Sequence, residues 1–161
     1  MSRSMFDDLE AERPAQFESA DARTLRLAAH PLTPEELEAL VRYQEAFLAH
    51  AEQPSLGHEA LSTAHQRGFE ASGMEDLRVV ELGLSLLRAF CGQRWTARRI
   101  ASRLLELEGE RASKARDELR RLEDLEPLAR RYGQEAIELL RQHEDRLLAL
   151  HTRMQKVLSG T

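Results

Sequence analysis

The stretch Leu77 to Cys91, LRVVELGLSLLRAFC, constrains this chain more than any other. At 3.6 residues per turn, Arg78, Glu81, Ser85 and Arg88 fall in one narrow polar stripe of a helix. Leu77, Val79, Val80, Leu82, Leu84, Leu86, Leu87, Phe90 and Cys91 surround that stripe. A helix apolar around most of its circumference must be covered by several neighbours. It is too short and too charged to span a bilayer, which needs about 20 mostly apolar residues. The stretch is therefore the central helix of an all-α domain. It is expected to begin near Met74 and to stop at Cys91–Gly92–Gln93, with a new helix starting at Trp95 under a Thr96 cap.

What covers that helix must come mostly from Leu and Ala, because the chain is 42% apolar but only 5% aromatic. Its 161 residues suffice for one domain and an arm. The net charge of −5 argues against a protein that coats nucleic acid by charge alone. The single cysteine excludes an intramolecular disulfide and any zinc site with two thiolates. Cys91, in the most apolar run, reads as a small buried hydrophobe. MSRSMFDDLEAERP contains no apolar signal-peptide core, so a cytoplasmic location is the default expectation.

Residues 1–31 read as a flexible acidic arm, with 4 basic and 6 acidic residues and no apolar period. Its FDDLE cluster is a possible transient docking helix. An all-helical domain is expected from 32 to 161, with N-terminal helices over 32–93 and a long antiparallel helical hairpin over 94–161. Thr33, Pro34 and Glu36 spell a capping box, and Leu32 and Leu37 occupy the positions of a hydrophobic staple. Leu37, Leu40, Val41, Gln44, Phe47, Leu48 and Ala51 then line one face until Pro54. A second helix capped by Ser55 would carry the stripe His58, Leu61, His65 and Phe69, weakened by Gly57, Gly68 and Gly73. Pro127 and Gly133 should interrupt the C-terminal half. The last helix reads as heptads through Leu140, His143, Leu147, Leu150, Met154 and Val157. Its partner in the hairpin would present Leu105, Ala112, Ala115, Leu119 and Leu122.

Six histidines raise the question of a metal. His58 and His65, like His143 and His151, are about two turns apart, roughly 10–12 Å, too far for one ion. No Glu-x-x-His or His-Glu-x-x-His occurs, nor a phosphate loop or a nucleophile elbow. Glu81, Ser85 and Arg88 share a stripe but read as a solvated edge. No catalytic residue, metal or cofactor is expected; a histidine-based metal or cofactor bundle is the third reading.

The richest cluster is RWTARRIASRLLELE. Its spacing Thr96, Ile100, Ala101, Leu104 resembles the first helix of helix-turn-helix domains, with ASKARDELRRLEDL as a recognition helix. That resemblance implies DNA contact through Arg98, Arg99, Lys114 and Arg116, although LLELEGER is long and acidic for a tight turn. The favoured reading is a non-enzymatic interaction or scaffold module that holds a protein partner or a second copy. Its contact surface would comprise Arg94, Trp95, Arg98 and Arg99 at the hairpin base and Leu139 and Leu148 along the last helix. The helix-turn-helix regulator over 94–125 is the alternative, and no membrane partner is expected.

Overall fold

The computed structural model describes residues 32–53 and 60–159; the expectations placed on 1–31 and on Pro54, Ser55, Gly57 and His58 lie outside it. The described residues form seven helices and no strand: α1 Pro34–Ala51, α2 Ala60–Ser72, α3 Leu77–Leu104, α4 Gly109–Glu123, α5 Glu126–Tyr132, α6 Gln134–Gln142 and α7 Glu144–Ser159. The fold class is all-α.

Helix α1 begins as its local chemistry dictates. The Thr33 hydroxyl accepts from the Glu36 N–H at 3.1 Å, and the Glu36 carboxylate accepts from the Thr33 N–H at 3.1 Å. One face then buries Leu37, Leu40, Val41, Tyr43, Phe47 and Leu48. These meet Val80, Leu86, Leu87, Phe90 and Cys91 of α3, Ala136, Ile137 and Leu140 of α6, and Leu147, Leu148 and Leu150 of α7 in one core. Leu32 packs against its edge.

Helix α3 departs from expectation at both ends. Asp76 caps it, its carboxylate accepting from the Arg78 N–H at 2.9 Å, so it starts at Leu77 rather than Met74. It then runs unbroken through Gly92, Trp95 and Thr96 to Leu104, about 42 Å at 1.5 Å per residue. The Thr96 hydroxyl does not cap a new helix; it bonds back to the Gly92 carbonyl at 2.9 Å, a contact threonine makes inside helices. The division expected at 93/94 therefore falls inside one continuous helix.

The long hairpin is also built differently. Gln93 Nε2 donates to the carbonyls of Leu122 at 2.7 Å and Asp124 at 3.0 Å, which brings the end of α4 back beside the middle of α3. The antiparallel pair is thus α3 with α4, joined by the short turn Leu105–Glu108. Pro127 restarts the chain in the first turn of α5, and Gly133 breaks it again at φ 99°. The expected continuous last helix is divided at His143, whose φ and ψ of −115° and 17° leave the helical region.

Helix α2 buries Ala64, Gly68 and Ser72; of the stripe read from its larger residues, Phe69 packs on the core and the His65 ring lies against Tyr43 and Phe47 at the edge of α1, while Leu61 is exposed. A Cβ at Gly68 would stand 2.9 Å from the Tyr43 carbonyl oxygen and 3.0 Å from its ring. Gly68 therefore sets how closely α2 approaches α1. A Cβ at Gly92, also inside a helix, would meet nothing within 4 Å. Gly68→Ala is expected to destabilise by about 1–3 kcal/mol through overpacking against backbone. Gly92→Ala is expected to stabilise by up to about 1 kcal/mol through helix propensity. Urea unfolding of the two variants checks both signs.

Candidate functional site

Arg94 and Arg98 are four residues apart on α3, so both guanidinium groups leave the same face. That face meets the start of α7. Arg94 Nε donates to Glu144 Oε1 at 3.0 Å, and Arg98 donates to Glu144 Oε2 through Nε at 3.0 Å and Nη2 at 2.7 Å. Arg98 Nη2 also reaches Asp145 Oδ1 at 2.7 Å. Glu144 is buried at 7% exposure, and the Arg94 side chain is 12% exposed. Burial alone would raise the Glu144 carboxyl, but the hydrogen bonds and charges of Arg94 and Arg98 outweigh it and hold the group below its ordinary value of 4.5.

Two further pairs tie α7 to α1: Arg146 with Glu38 at 2.9 Å and Arg153 with Glu52 at 2.6 Å. Around the Glu144 pair the surface forms an open depression of about 520 Å³. It is lined by Arg94, Arg98, Arg141 and Arg146 together with Gln142, His143, Glu144 and Asp145. Arg141 is exposed and makes no ion pair or hydrogen bond among the described residues. Glu144, Asp145, Arg141 and Arg146 were not expected at a site. Their available signal was the acidic Glu144–Asp145 step set between Arg141 and Arg146, a charge-alternating helix start.

The six contact residues expected from sequence thus separate. Arg94 and Arg98 turn toward α7, where Glu144 pairs with both; the Arg94 side chain is 12% exposed and that of Arg98 48%. Leu148, at 6% exposure, belongs to the core, while Leu139 is partly buried against that core. Trp95 also packs partly on the core, and Arg99 lies over its ring at 5.3 Å, a cation–π contact. Along α3 the residues Arg88, Gly92, Trp95, Arg99 and Arg103 continue the polar stripe that begins at Arg78, on the side away from α4. The four cations of the DNA alternative are likewise divided. Arg98 is paired with Glu144 and Asp145, Lys114 pairs with Glu110 at 3.8 Å, and Arg99 leaves α3 roughly opposite the seam with α4. Arg116 is exposed on α4.

Among the described residues no three His, Cys, Asp or Glu side chains are grouped to hold a metal ion. The Tyr43 hydroxyl lies 2.5 Å from His65 Nδ1, and the Phe47 ring sits tilted at 52° against the same imidazole, centroids 4.7 Å apart. Burial, with Arg88 nearby, pushes His65 below 6.5; burial does the same to His151. Burial and the Glu144 charge push the Cys91 thiol up to about 12, leaving it un-ionised at neutral pH. Glu81, Ser85 and Arg88 share no hydrogen bond. Among the described residues no helix is long and apolar enough to cross a membrane. Searches of family models, curated proteins and solved structures return no match to this chain.

Proposed function

We propose that the chain is a non-enzymatic interaction module that offers the α3–α4 hairpin to a protein partner. One observation carries this reading: the hairpin is a two-helix layer with an apolar seam and little on top of it. From Gly92 to Leu104 only Ala97 of α3 is fully buried, and α4 buries only Ala112. Ile100, Leu104, Leu107, Ala115, Leu119 and Leu122 remain partly exposed, and Leu105 at the turn is 89% exposed. A helix pair this thin hides its apolar seam well only when a third element covers it. On the other side of α3, away from the seam, Trp95 with Arg99 supplies the aromatic–arginine combination enriched in protein interfaces.

A nucleic-acid role has less support, since Arg98 turns toward α7 and Arg99 away from α4 rather than both toward Lys114, and the phosphates would face Glu106, Glu108 and Glu110. The test is capture from host lysate after nuclease treatment, with wild type and an Arg99→Glu/Leu105→Glu variant. The expected result is a defined set of proteins, or a second copy of the chain, lost in the variant while its thermal midpoint is unchanged. Equal capture by both proteins overturns the hairpin reading. Bound material that nuclease removes assigns nucleic acid instead.

A further inference from the structure

We infer that the depression between α3, α6 and α7 is an oxyanion site that takes a phosphate group. Four guanidinium groups and two carboxylates line it. The carboxylates do not consume the donors. Each guanidinium carries five N–H groups. Arg94 donates to the protein through Nε alone, so both terminal amino groups lack an acceptor among the described residues although its side chain is only 12% exposed. Arg98 keeps Nη1 free, Arg146 keeps Nε and Nη2 free, and Arg141 keeps all of its donors.

The Arg94 amino groups reach solvent at the depression, since the buried side-chain polar atoms left without a partner among the described residues are Gln44 Oε1 and His151 Nε2; a phosphate there would take the place of water on donors that are already aimed. The orientation of Arg94 is fixed from behind: both Glu144 oxygens are used in holding Arg94 and Arg98. The ordering cost of the site is therefore met in the free protein, which favours a ligand of matching shape. Fork-shaped donors on several guanidinium groups match a tetrahedral oxyanion, which accepts from more than one direction. The volume of about 520 Å³ exceeds what the ion alone needs, so a phosphate monoester with a small carrier fits. Two lining carboxylates repel such a ligand: Asp145, 90% exposed in its side chain, and Glu144, at 8% and paired with both Arg94 and Arg98.

Titration with inorganic phosphate at constant ionic strength, followed by the arginine Nε–Hε resonances, tests the site. The expected result is saturable movement of the Arg94, Arg98, Arg141 and Arg146 signals. Arg141→Gln and Arg146→Gln should each weaken binding roughly tenfold, and Asp145→Asn should tighten it. Movement that never saturates, or equal affinity in wild type and Arg141→Gln, reflects ionic strength and overturns the site. O-phosphoserine and a hexose phosphate, titrated alongside, separate the sources: whichever exceeds inorganic phosphate in affinity carries the group. The hairpin variant Arg99→Glu/Leu105→Glu should bind phosphate as wild type does, so this site and the partner surface stand or fall separately.

Discussion

Phe90→Ala is expected to lower the unfolding free energy by roughly 3–5 kcal/mol. Phe90 has no solvent exposure and belongs to the cluster that joins α1, α3, α6 and α7. Truncation there removes the transfer free energy of a ring and leaves a cavity that four helices cannot all close around at once. Against the 5–15 kcal/mol that typically separates folded from unfolded states, this is a large share. Leu105→Ala, at the exposed hairpin turn, serves as the control and should stay within about 0.5 kcal/mol of wild type. Urea midpoints at unchanged slope decide the matter. Comparable losses from the two variants would mean that the hairpin turn is as buried as the core, which would also remove the basis for a docking surface there.

The core was legible because it is written in period and bulk. The polar stripe from Arg78 to Arg88 marks the outer edge of α3, and Leu37, Leu40, Phe47 and Leu48 mark the inner face of α1 by the same spacing. The Thr33 capping box was legible because its partners lie three residues apart. Elements that depend on distant partners were not. Gly92 and Thr96 read as a stop and a start, since each favours those places in isolation. Packing of the second half of α3 against α4 and α7 overrides that local preference. The buried face of α2 escaped notice because Ala64, Gly68 and Ser72 have little bulk, and tightness of approach is not a hydropathy signal. The Arg94–Arg98 cluster reads as free charge because its carboxylate partners are 46 to 50 positions away along the chain and reach it only through the fold. The break at His143 has neither proline nor glycine to announce it; what stands there instead is Glu144, drawn inward by the two arginines.

Glu144→Gln is expected to destabilise the protein by roughly 3 kcal/mol, the low end for breaking a buried ion pair because Arg98 is 48% exposed and partly rehydrates. The amide keeps the volume but not the charge, leaving Arg94 buried without a counter-ion. Replacing both partners removes that penalty, so Arg94→Met combined with Glu144→Leu should recover most of the loss. The pH dependence follows from the sign of the shift. The folded carboxyl titrates below its ordinary 4.5, so the folded state binds its proton less readily than the unfolded chain. Its contribution is fully present above about 4.5 and is lost as pH falls through the folded value. Glu38 and Glu52, lowered by the hydrogen bonds of Arg146 and Arg153, move in the same direction and steepen the wild-type acid limb. The gap between wild type and Glu144→Gln should therefore stay constant from neutral pH down to about 4.5 and narrow below it. A gap that does not change with acid would show that the substitution acts by packing alone. In that case Glu144 would not be the anchor that orients Arg94 and Arg98 toward the depression.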